Sequence, residues 1–226
     1  MITLNVWGHL QTIFPSQQGN RNHHQDQIQM FNSPRNGHNH WKSQTSQRIN
    51  AIANIISQGN FDVFLLQEIW TRHDHMILGQ KIPKGYSMTT FQQLNECDGY
   101  SNGIGCSGLA IISKYPFLKV EFHKFHERGC LQTALWDGER IFGKGFGIVR
   151  ISPDDETNID VFVTHTAADW TEECSFIECG SCPDYHNYYY RKSQVTQLIN
   201  LVTKSTADIK IVGGDLNTRP KGMKHQ

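Results

Sequence analysis

The sequence predicts an α/β sandwich, and three observations carry that prediction. Four apolar, largely β-branched runs each end in polar side chains: residues 2–5 in Asn5, 60–68 in Glu68, 158–165 in His165, and 209–217 in Asp215 and Asn217. Such runs read as strands. Two other stretches, 46–58 and 188–204, place apolar residues at helical spacing. The order strand, loop, helix, strand ending in an acid occurs twice, which is βαβ-like. In layered α/β folds ligands bind at strand ends, so four polar ends point to one shared site.

Each element follows from local chemistry. Residues 2–6 form a short strand that runs into Trp7-Gly8. Residues 11–44 are dominated by Gln, Asn, His, Ser and Gly and read as a polar loop insertion or lid. Its His23, His24, His38 and His40 follow no ligand spacing, so a solvated loop is favoured over a metal site. From Ser46 the stripe Ile49, Ile52, Ala53, Ile55, Ile56 predicts a helix, with Thr45 or Ser46 as N-cap and Gly59 as its stop. Residues 71–85 predict a short helix ended by Pro83, and residues 95–105 a Gly- and Asn-rich loop. Residues 108–113 are a strand and 118–125 its expected neighbour. Strands at 141–151 and 159–164 flank the acidic turn Pro153-Asp154-Asp155-Glu156, which suggests antiparallel pairing. After an aromatic, Cys-containing loop at 166–187, Val195, Leu198, Ile199, Leu201 and Val202 mark the second helix.

Length and composition bound the function. At 226 residues the chain reads as a single domain, 1–226, able to bury a core. Lys plus Arg equals Asp plus Glu at 21 each, so no general basic field gathers nucleic acid. No apolar run reaches the ~18 residues of a membrane span. No secretory leader is visible at Met1, while six cysteines suit loop disulfides and an oxidising, extracellular compartment. The pair Cys179 and Cys182 also fits a zinc knuckle or a redox pair.

The strand ends offer groups that can bind a ligand. In extended chain Asp215 and Asn217 share a face and could hold a hard cation, a water or a phosphate oxygen; Gly213-Gly214-Asp215-Leu216-Asn217 also fits a turn that closes a buried strand. Lys144 lies between Gly143 and Gly145, where a cation can approach a phosphate closely; a solvated strand lysine is the other reading.

Six blocks occur in the order seen in the endonuclease/exonuclease/phosphatase superfamily: Leu4-Asn5-Val6-Trp7-Gly8, Leu66-Gln67-Glu68-Ile69-Trp70, the segment from Cys106 to Pro116, Phe142-Gly143-Lys144-Gly145, Val163-Thr164-His165 and Gly213-Gly214-Asp215-Leu216-Asn217. They most resemble its neutral sphingomyelinase branch. The resemblance implies a four-layer α/β sandwich, two packed mixed β-sheets flanked by helices, lacking its C-terminal strands here. It also implies a Mg²⁺-dependent phosphodiesterase that hydrolyses sphingomyelin to ceramide and phosphocholine at a membrane surface. By the same resemblance Glu68 and Asn5 hold the metal, His165, Asp215, Asn217 and Asn5 are catalytic, and Lys144, Asn217 and His165 bind phosphate.

The family's C-terminal Asp-His base is not found before Gln226, and His225 does not match it. The expectation is therefore metal binding with little turnover. A Mg²⁺-dependent endonuclease of the same superfamily and a non-catalytic phosphate- or lipid-binding module are the alternatives, with nucleic acid disfavoured by the balanced charge. Trp70, Trp170 and the tyrosines between 185 and 190 are candidate lipid or choline contacts, against ordinary packing.

Overall fold

A computed structural model describes residues 2–5, 10–11, 38–58, 61–97, 106–128, 142–168 and 188–218, with the side chains of 2–5, 10–11, 38–46 and 188 left aside. The strands are β1 (Ile2–Asn5), β2 (Leu10–Gln11), β3 (Val63–Gln67), β4 (Ser87–Met88), β5 (Ala110–Ser113), β6 (Lys119–Lys124), β7 (Gly145–Ile151), β8 (Ile159–His165) and β9 (Ile209–Asp215). The helices are α1 (His38–Ser57), α2 (Arg72–Lys81), α3 (Phe91–Leu94) and α4 (Tyr188–Lys204).

Two sheets result, one ordered β2-β1-β3-β5-β4 and the other β6-β7-β8-β9. Each contains one parallel pair, β1 with β3 and β8 with β9. A parallel pair needs a crossover, and α1 and α4 lie between the paired strands in sequence. Alternation along β3 sends Val63 and Leu65 toward Val149, Ile151, Val161 and Val163 of the second sheet. Phe64 and Leu66 face the opposite way and pack under Ile49, Ile52 and Ile56 of α1 and Leu78 of α2. On the far side Phe146, Ile148 and Phe162 pack under Leu198 of α4. Helix, sheet, sheet, helix is the four-layer sandwich, and each fully buried Leu, Ile or Phe contributes roughly 1.5–3 kcal/mol.

Two expectations are corrected. The first helix begins at His38, not near Ser46, so residues 38–44 of the supposed polar loop insertion are helical; residues 12–37 lie outside the described residues. Once the Ile-rich turns are packed, extending the helix adds one hydrogen bond per residue, and no apolar stripe is needed to announce it. Strand β6 does not neighbour β5 but pairs with β7 in the other sheet. The turn Lys114-Tyr115-Pro116 carries the chain across the sandwich, where alternating Val120 and Phe122 join the inter-sheet core. The short β4 and α3 were not foreseen; the cue for α3 is Thr90-x-x-Gln93, in which the Gln93 side chain accepts the Thr90 N–H at 2.7 Å. Cys97 and Cys106 form a disulfide; Cys130, Cys174, Cys179 and Cys182 fall outside the described residues.

Candidate active site

Glu68 follows β3 with φ +64°, a left-handed conformation that costs a non-glycine residue about 1–3 kcal/mol. The surroundings hold it there. Ile69 N–H donates to Gly108 O at 2.9 Å, and Trp70 lies flat on Gly108, where a Cβ would stand 2.8 Å from the indole. The same ring stacks on Phe142 at 4.6 Å between centroids and lies 5.9 Å from the His165 ring. Trp70 is thus a half-buried packing element that fixes the turn after Glu68.

His165, the last residue of β8, is 4% exposed. Its Nε2 lies 4.0 Å from Glu68 Oε1 and 3.5 Å from Lys144 Nζ. Burial, and then the adjacent Lys144 charge, push its pKa well below the usual 6.5, so the imidazole is neutral at physiological pH. Its Nδ1 is buried without a partner.

Lys144 is nearly buried, which overturns the solvated-strand reading. Its Nζ donates to Thr166 O at 2.9 Å. The glycines beside it are steric necessities in part: a Cβ at Gly145 would sit 2.4 Å from His123 O. Gly143 N–H donates to Cys106 O and Phe125 N–H to Lys144 O, both at 3.1 Å, so backbone bonds anchor the chain on either side of the lysine side chain.

Asp215 and Asn217 do not share an extended face. Asn217 has φ +48°, which Asn tolerates, and its N–H donates to Asp215 Oδ1 at 2.8 Å in a turn. Its Nδ2 donates to Thr166 O at 2.9 Å, so one carbonyl gathers Lys144 and Asn217. Gly214, at φ +139°, lets β9 press on β8; a Cβ there would meet Thr164 O at 2.0 Å.

Glu68, His165, Lys144, Thr166, Asn217 and Asp215 therefore form one continuous chain of contacts across the strand ends. The backbone of Asn5 pairs with Gln67, one residue before Glu68; its side chain is outside the described set. Two residues escaped the sequence reading. Gln67 is fully buried, continuing the inward alternation of Val63 and Leu65, with neither amide atom partnered, and Thr166 Oγ1 is orphaned likewise. A polar residue on an otherwise apolar strand face was the available signal.

Among the described residues there is no group of three or more His, Cys, Asp or Glu that could hold a metal ion. Carboxylate and amide oxygens at strand ends fit a hard cation that keeps several of its waters. No described helix is long and apolar enough to cross a membrane.

The sequence pattern of the endonuclease/exonuclease/phosphatase family matches residues 2–223. The chain belongs to that family. Within it, the chain is 27% identical over 187 residues to the putative neutral sphingomyelinase of Drosophila melanogaster, covering 79% of this chain and 36% of that protein. It is 24% identical over 183 residues to the inositol phosphosphingolipids phospholipase C of Schizosaccharomyces pombe, covering 80% and 39%. The chain thus spans under two fifths of the length of these curated relatives. A Staphylococcus aureus β toxin mutant with bound magnesium ions superposes with TM-score 0.58 at 25% identity, covering 78% of this chain and 59% of that one. SmcL superposes with TM-score 0.60 at 20% identity, covering 98% and 64%, a likeness of fold.

Proposed function

We propose that this family member is a magnesium-dependent phosphodiesterase acting on sphingomyelin, releasing ceramide and phosphocholine. The carrying observation is the Glu68 carboxylate, neutral His165 and Lys144 ammonium held within 4.0 Å at one end of the sandwich; similarity to sphingomyelinases supports the substrate. Glu68, with Asn5, would hold the ion, which when bound neutralises phosphate charge and lowers the pKa of a water. Lys144 offers a fixed cation to a phosphate oxygen. Neutral His165 donates one N–H to the charge that develops there, and Asp215 with Asn217 orients the attacking water or the leaving oxygen. The Cys97–Cys106 disulfide supports an oxidising compartment.

Magnesium titration by calorimetry and phosphocholine release from sphingomyelin vesicles test this. Glu68→Gln should abolish magnesium binding while the fold persists. Nicking of plasmid DNA without phosphocholine release would assign the site to a nuclease instead, and magnesium binding unchanged in Glu68→Gln would remove Glu68 from the metal site.

A further inference from the structure

A groove of about 820 Å³ lies on the outer side of the second sheet, between β6 and α4, and shares no lining residue with the strand-end site. Lys124, Lys192, Lys204, His123 and His126 line it, and among the described residues no Asp or Glu does. In a chain whose charges sum to zero, Lys192 and Lys204 on one helix face, with His123 and His126 opposite, are a local excess among the described residues, and a concave low-dielectric wall focuses their field. Glu121 of β6 is engaged by Lys119 at 2.8 Å and lies 3.8 Å from His123 Nε2.

The groove is preformed. Gln197 of α4 donates through Nε2 to Lys124 O at 2.9 Å and accepts the His126 N–H at 3.1 Å, and Gln194 donates to Glu127 O at 2.8 Å. These bonds fix β6 and the residues after it against the helix. Lys192, Asn200 and Lys204 fall at multiples of four along α4 and share its groove face. The two lysines stand roughly 18 Å apart by helical rise. Leu201 adds apolar wall between the cations.

We propose that this groove is a second anion site, distinct from the strand-end site, that takes the phosphate group of a phosphate ester. The ester can be soluble or a lipid headgroup; the cations and amide donors recognise the phosphate in either. Nothing in this reading depends on phosphodiesterase activity.

The test compares Lys192→Glu/Lys204→Glu with a charge-matched control, Lys81→Glu/Lys210→Glu, whose lysines are exposed elsewhere. All three chains are assayed without magnesium, so that failure of the catalytic reading leaves the result intact, and circular dichroism checks that each folds. Glycerol phosphate in a thermal-shift titration is the soluble arm. Co-sedimentation with phosphatidylcholine vesicles containing phosphatidylglycerol, against phosphatidylcholine alone, is the lipid arm. The expected result is about a tenfold or greater loss of affinity in the groove variant and a small loss in the control, in whichever arm the parent chain binds. No binding by the parent in either arm, or equal loss in both variants, overturns the proposal.

Discussion

The two ends of the β7–β8 pair use charge in opposite ways. At one end Arg150 donates from Nε and an Nη to both Asp160 oxygens at 2.7 and 2.8 Å, and Ser205 Oγ donates to the same carboxylate at 2.6 Å. Burial pushes the Asp160 pKa up, but these bonds outweigh it and hold the carboxyl below the usual range. At the other end Lys144, His165 and Glu68 are drawn together while His165 Nδ1, Thr166 Oγ1 and the Gln67 amide are buried without partners. The same strands thus carry a saturated end that stabilises the fold and an unsaturated end that costs stability and keeps polar atoms for a ligand.

The largest effect expected is at the unsaturated end, and it is a backbone effect. Gly214→Ala forces a Cβ to 2.0 Å from Thr164 O at φ +139°, so β9 must part from β8. A loss of about 3 kcal/mol or more in urea unfolding is expected, with the His165 to Asp215 register broken. A loss under about 1 kcal/mol would mean that the close approach is not maintained in solution.

Asp160→Ala strips the saturated end. Arg150 keeps 26% of its side chain exposed, so the cost is set at about 2–3 kcal/mol, below that of breaking a fully buried pair. Magnesium affinity should not change, because Asp160 and Glu68 lie at opposite ends of the sandwich. A matching fall in magnesium affinity would merge the two ends into one cooperative unit.

How much of this contrast was legible follows from which interactions are local. Strand ends, the α4 stripe and the order of the halves were readable because period-2 and period-3.6 burial are written in neighbouring residues. The convergence of Glu68 and His165 rested on ordered motifs, since residues 97 apart in sequence meet only through sheet packing. Arg150 with Asp160 was not foreseen, because nothing local says that positions 150 and 160 are register partners. The switch of β6 to the second sheet was hidden likewise, as an antiparallel neighbour is the ordinary expectation after a tight turn.

Gln67→Leu sharpens the comparison from the other side. If the amide contributes nothing to the folded state, replacing it with an apolar group of similar volume should stabilise the chain by about 1 kcal/mol. Asp160→Leu, the parallel change at the saturated end, should destabilise. A loss of stability in Gln67→Leu would show that the amide is satisfied in solution and that the strand-end site is less open than the contacts indicate.

The smallest effect is a pH signature. His165 and His75 both have pKa values lowered by burial, in His165 with help from Lys144 and in His75 against a raising hydrogen bond with Thr89. The unfolded chain then binds protons that the folded chain refuses, so stability is full above pH ~6.5 and falls as pH drops below it. Lys144→Met removes the charge contribution but leaves the burial, so the His165 pKa should rise part of the way toward 6.5, read by NMR from its Cε1 proton without magnesium. The acid loss of stability should shrink by the His165 share and keep the His75 share, which His75→Phe isolates. An unmoved His165 titration in Lys144→Met would place burial alone in control of that imidazole and separate Lys144 from it, leaving the lysine free to serve phosphate without setting the proton on its neighbour.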